Sequence, residues 1–141
     1  MTISNVTFPT DLLLRRKRSD MAGFNFYVER KWWIFYDETH QGFEPTTRRY
    51  DIPKNFGTDF SSVPGLFRSL ASKVDSIEGS TVHDHAYRFK VLPRRTADAL
   101  FREIMIAAGK SWFKRNLMWL GVRAGGWWTY REGRPRRVDG A

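Results

Sequence analysis

Asn25-Phe26-Tyr27-Val28-Glu29-Arg30-Lys31-Trp32-Trp33-Ile34-Phe35-Tyr36 is the stretch on which the reading of the fold turns. Aromatic and β-branched residues fill 25–28 and 32–36, which suits a pleated, half-buried surface. The polar Glu29-Arg30-Lys31 between them reads as a turn. Downstream, residues 37–42 are polar and end in glycine, so the second strand is expected to stop there. Residues 46–52 read as a third strand halted by Pro53, and 55–57 as a loop. Beyond Ser61 the pattern becomes helical. Ser61 or Ser62 can cap a short helix from about 63 to 71, with Pro64 in its first turn. A second helix is expected over 76–89, closed by Leu92-Pro93. A third opens at Thr96 or the arginines before it, with Ala97, Leu100, Phe101, Ile104 and Ala108 on one face and Gly109 as its C′ glycine. A fourth starts near Ser111, carries Phe113, Leu117, Leu120 and Ala124 on one face, and stops at Gly125-Gly126. The expectation is an α+β fold, a small N-terminal antiparallel sheet packed against three or four C-terminal helices. It is expected to be a single domain over 1–141, with a core at about 21–126. A basic segment over 1–20 and an Arg-rich extended tail over 127–141 flank that core.

The chain has 141 residues, 41% of them hydrophobic and 16% aromatic, and no cysteine. Its mean hydropathy of −0.53 and the lack of any apolar run near ~20 residues argue against a membrane span. Residues 1–14 lack a basic stretch ahead of an apolar one, so no signal peptide is expected. The absence of cysteine excludes disulfides, thiolate metal sites and cysteine nucleophiles. The net charge of +9 is uneven: +2 over 1–20, +1 over 21–108 and +6 over 109–141. Such asymmetry points to a polyanionic partner or to a solvated basic face.

Two stretches could carry chemistry. One is Thr58-Asp59-Phe60-Ser61-Ser62-Val63-Pro64, at the change from strand to helix. The other is His83-Asp84-His85-Ala86-Tyr87-Arg88, inside the second helix, where unpaired polar groups are costly if buried. On a helix His83 and His85 point ~200° apart and cannot share one ion. His83 with Tyr87, and Asp84 with Arg88, do share faces. A metal site would need His83 joined by Asp59 or Asp98, a donor set suited to zinc or a harder divalent ion, yet the HExxH spacing is absent. An acid–base reading uses His83 with Asp84 or Asp59, activating water or the hydroxyl of Ser61 or Ser62. A structural reading makes Asp59 a helix cap and joins His83 and Asp84 in a buried polar network.

The order I-P-x-x-F-x-T-D-F-S-S-V-P (52–64), V-H-D-H-A-Y (82–87) and A-D-A-L-F (97–101) resembles a domain-of-unknown-function family of tailed bacteriophages and prophages. Its members show T-D-G-A-S-I-P-like, H-D-x-x-Y and A-D-x-x-F stretches. The resemblance covers roughly 48–125 and implies that Asp59, Ser62, His83, Asp84, Tyr87 and Asp98 are the characteristic polar positions. Phe60 and Ser61 depart from it, standing where Gly and Ala are usual.

Three functions are expected in turn. The first is a virion or assembly protein of a phage tail or neck, made in the host cytoplasm. It would dock other virion proteins, or DNA or another polyanion, through Arg15, Arg16, Lys17, Arg18, Trp127, Trp128, Arg131, Arg134, Arg136 and Arg137. It needs no cofactor. The second is a small peptidoglycan-directed hydrolase using Asp59, His83, Asp84 and Ser62, with or without a divalent metal such as zinc. The third is a non-specific nucleic-acid-binding accessory protein, since no motif for sequence reading is present.

Overall fold

The structure is a computed structural model that describes residues 1–16, 26–58, 77–112, 115–116, 119–120 and 123. The chain divides into two compact units, Met1–Asp59 and Phe60–Ala141.

The first unit is all β. Its strands are β1 (Thr2–Thr7), β2 (Leu14–Arg16), β3 (Phe26–Val28), β4 (Trp32–Thr39), β5 (Thr46–Ile52) and β6 (Gly57–Thr58). They form two three-stranded antiparallel sheets, ordered β1-β4-β5 and β2-β3-β6. In β4 every second residue, Trp32, Ile34 and Tyr36, is buried, as the two-residue period of a strand requires. Trp32 and Ile34 sit opposite Ile52 and Tyr50 of β5, both also buried, so the cross-strand pairs themselves make the core of this sheet. The Trp32 indole Nε1 donates to the Thr10 carbonyl at 2.9 Å, which satisfies its one polar atom. Asp37 ties all three strands together. Its carboxylate accepts from Asn5 of β1 at 2.9 Å and from Thr47 of β5 at 2.8 Å. Asn5 lies at the irregularity in β1, with a φ of 50° that asparagine tolerates better than most residues.

The sequence reading expects one small sheet, whereas the structure has two. The two strands flanking Glu29-Arg30-Lys31 do not pair. Both edges of β3 are taken, by β2 and by β6, so β4 pairs instead with β1 and β5. The second strand also runs on to Thr39, past the expected stop at 37, and the turn follows with Phe43 N–H donating to the His40 carbonyl. Residues 2–7 and 14–16, expected as a flanking segment, contribute β1 and β2.

In the second unit two helices are complete among the described residues, α1 (Ile77–Phe89) and α2 (Arg94–Ala107), in place of the three or four expected. The segment expected as a helix over 63–71 lies outside the described residues. Of the expected last helix, Trp112, Arg115, Asn116, Trp119, Leu120 and Arg123 carry helical backbone, and its other positions lie outside the description. α1 and α2 pack on each other through Val82, Ala86, Leu100, Phe101 and Ile104, all buried. Gly79 permits their close approach. A Cβ there would stand 3.1 Å from the Phe101 ring. α2 ends as its sequence predicts. Gly109 has a φ of +74°, its N–H donates to the Ile106 carbonyl and Lys110 N–H donates to the Met105 carbonyl. That pair of bonds is the Schellman motif, which caps otherwise unsatisfied carbonyls.

Candidate functional site

α1 is buried along its whole middle, from Gly79 to Tyr87, although Ser80, Thr81, His83, Asp84 and His85 are polar. Polar groups so placed must find partners or cost free energy. His83 and Tyr87 are one helical turn apart and stack, with ring centroids 3.9 Å apart. His85 points elsewhere, onto Phe89, so the two histidines do not converge. Asp84 likewise faces away from His83 and accepts from Arg88 at 2.8 Å across one turn.

The partner of His83 is Asp98, from the middle of α2. His83 Nε2 lies 2.8 Å from Asp98 Oδ1, and the Tyr87 hydroxyl donates to the same oxygen. Arg123 donates to Oδ2 at 2.9 Å, and Arg94 Nε stands 3.8 Å from it. Arg94 also donates to the Tyr87 oxygen at 3.3 Å and to the backbone carbonyl of Arg123. His83 and Asp98 are 0% and 1% exposed, whereas the arginine side chains reach the surface at 19% and 36%. Phe101 covers the imidazole from the α2 side, its ring centroid 5.0 Å away.

Burial pushes the Asp98 carboxyl upward. The hydrogen bonds from His83 and Tyr87, the charge of His83 and the hydrogen bond from Arg123 outweigh that, so its pKa lies below the ordinary value. Burial first, then the bond to the Asp98 carboxylate, pushes the Tyr87 hydroxyl well above its ordinary range. Asp98 is therefore ionised and Tyr87 neutral near pH 7. An ionised carboxylate only accepts, so His83 Nε2 carries the hydrogen between them. In the neutral ring the lone pair then sits on Nδ1. Nδ1 is buried and has no hydrogen-bond partner among the described residues.

Of the expected site residues, His83 and Asp98 come together, and Asp84 stands apart on Arg88. Asp59 and Ser62 lie outside the described residues. Among the described residues no group of three His, Asp or Glu side chains could hold a metal ion. Of the expected docking residues, Arg15 reaches Glu29 at 3.6 Å and lies over the Tyr27 ring, and Arg16 is exposed. Lys17, Arg18, Trp127, Trp128, Arg131, Arg134, Arg136 and Arg137 lie outside the described residues. The sequence reading misses Arg94 and Arg123, and treats Asp98 only as a metal ligand or family position. A signal for Asp98 is present. It shares the α2 face of Arg94, Phe101 and Met105, and a carboxylate beside an apolar stripe needs a partner.

The fold and the site define an α+β protein whose helical pair is organised around one buried His–Asp–Tyr–Arg cluster. The chain belongs to the family described as "Protein of unknown function (DUF1353)", which matches residues 37–122, more than half of it. His83, Asp84, Tyr87, Arg94 and Asp98 all fall inside the match, and Arg123 stands one position beyond it. Comparison with curated proteins and with solved structures finds no match.

Proposed function

We propose that this chain is a small hydrolase of a tailed phage or prophage, with His83 as the general base for attack of water on an acyl carbonyl. The observation that carries the reading is Nδ1 of His83, a buried ring nitrogen without a partner among the described residues, whose opposite nitrogen is held by a carboxylate. A purely structural histidine normally satisfies both nitrogens, and an orphaned one costs ~1–3 kcal/mol. Carboxylate–imidazole pairing fixes the tautomer and stabilises the imidazolium that forms during proton transfer.

In the proposed reaction Nδ1 takes a proton from water as the water oxygen bonds to the carbonyl carbon. The tetrahedral intermediate then collapses. Its leaving oxygen or nitrogen takes that proton from Nδ1, giving an acid and an alcohol or amine. Asp98 remains ionised throughout and, with Tyr87 and Arg94, acts as a positioning residue. Asp98 and Asp84 are both engaged by cations, so neither resembles the second, proton-donating carboxyl of a glycosidase. Acyl esters and amides, including the amides of peptidoglycan, therefore fit better than glycosidic bonds. His83 has no exposed surface, so turnover requires the site to open and admit water.

Assay of the full chain on soluble acyl esters and on peptidoglycan tests this. His83→Gln is expected to lower kcat ~10²–10⁴-fold. Asp98→Asn is expected to lower kcat with KM little changed, because it disturbs the tautomer and leaves the substrate contacts alone. Full activity in His83→Gln would overturn the reading. The sealing of His83 and Asp98 favours a second proposal, a virion or assembly protein in which the cluster is structural. Mass spectrometry of purified particles decides whether the protein is carried there.

A further inference from the structure

Two guanidinium groups approach the Asp98 carboxylate, both at the oxygen that His83 does not use. Oδ1 takes the His83 ring and the Tyr87 hydroxyl. Oδ2 takes Arg123 Nη1 at 2.9 Å, with Arg94 Nε at 3.8 Å. Arg94 also donates to the Arg123 backbone carbonyl, which fixes the main chain at 123 where its side chain meets Asp98. Among the described residues, the charged and titratable groups that face the His83–Asp98 pair are Tyr87 from α1, Arg94 from α2 and Arg123 from beyond α2. Asp84 and His85 turn to Arg88 and Phe89 instead. In the reaction proposed above Tyr87 and Arg94 position the pair, and Arg123 has as yet no part.

We propose that Arg123 is a positioning residue, which acts through Asp98 to set how tightly His83 holds the proton taken from water. This rests on His83 being the general base. A carboxylate shared between two cations gives less to each. The charge-assisted bond at Oδ2 draws electron density from the group that must stabilise the imidazolium through Oδ1. His83 has to give its proton back to the leaving oxygen or nitrogen. A base with that double task works best when its proton affinity is matched to the working pH. An Asp98 free of Arg123 would hold the imidazolium too firmly for the second transfer.

Two measurements on the full chain test this: kcat against pH on a soluble acyl ester, and the proton NMR resonance of the hydrogen between His83 Nε2 and Asp98. In Arg123→Gln the acidic limb of kcat is expected to move up by about one pH unit, part of the ~1–3 units that a neighbouring opposite charge is worth at a carboxyl. KM should change little. The resonance is expected to move downfield, as Asp98 becomes the stronger acceptor. Arg123→Lys should restore both, because a single N–H holds Oδ2 and an ammonium supplies one. The Arg123 side chain is 36% exposed, and circular dichroism checks that the variants fold. Arg123→Met keeps the aliphatic stem and gives the same comparison should the glutamine variant not fold. A merely structural Arg123 would lower kcat equally at every pH and leave limb and resonance in place, which overturns the proposal. An inactive parent whose resonance still moves in Arg123→Gln overturns the hydrolase reading and leaves the coupling standing. An active parent whose limb stays fixed does the reverse.

Discussion

Asp98 is the residue on which the second unit depends most. Its two oxygens take hydrogen bonds from His83, Tyr87 and Arg123, with Arg94 close by, and both His83 and Asp98 are buried. Removing the charge leaves two arginines facing a neutral amide, whose oxygen still accepts from His83 and Tyr87 but whose NH2 meets the Arg123 donor. Asp98→Asn is expected to destabilise the chain by about 3 kcal/mol, measured by urea titration. A loss below about 1 kcal/mol would mean that the cluster is poorly coupled to folding. Asp84, its neighbour in chemistry, bonds an arginine on its own helix, and Asp84→Asn should cost less. The sequence shows the H-D-x-x-Y half of this site because its members lie one turn apart on one helix. It does not show that Asp98 rather than Asp84 meets His83. Adjacent residues on a helix point about 100° apart, and the facing residue on the next helix is set by how the two helices pack.

At the scale of elements, the pairing of α1 with α2 rests on a missing side chain. Gly79 lies against Phe101, whose ring also covers His83. An alanine would improve helix propensity by ~1 kcal/mol. It would also push a buried ring that has the imidazole behind it, at ~1–3 kcal/mol. Gly79→Ala is expected to lower stability by about 1 kcal/mol net, read as a drop in Tm, and Gly79→Val by more. A rise in Tm for the alanine variant would show that Phe101 can give way. The helices themselves are legible in the sequence. α1 is expected over 76–89 and found at Ile77–Phe89, and the third expected helix is found at Arg94–Ala107. Strand identity is equally legible for Thr46–Ile52, down to its stop at Pro53. Strand partnership is not. β3 has only three residues, and its pairing depends on β2 and β6, which are too short to show a pattern of their own.

Across the whole molecule, the family match runs through both compact units, from Asp37 in β4 to residue 122, one position short of Arg123. Within the His83 cluster, two groups make stability depend on pH. Asp98 titrates below its ordinary 3.8, so it stabilises the fold above that pH, and the effect is lost as pH falls through the folded value. Tyr87 titrates above its ordinary 10.0, so its contribution is complete below that pH and is lost as pH rises beyond it. Denaturant midpoints are expected to be level from about pH 5 to 9 and to fall on both sides. In Tyr87→Phe the alkaline fall should be smaller, and an unchanged profile would count against the assignment. The clamp between Arg94, Asp98 and Arg123 has a consequence for synthesis. Asp98 leaves the ribosome 25 residues before the arginine that bonds its second oxygen. At ordinary elongation rates the nascent helical pair waits ~1–5 s for that cation. During that interval Oδ1 of Asp98 already faces His83 and Tyr87, both made earlier, while Oδ2 waits for Arg123, so the last bond of the cluster forms only once residue 123 has been made.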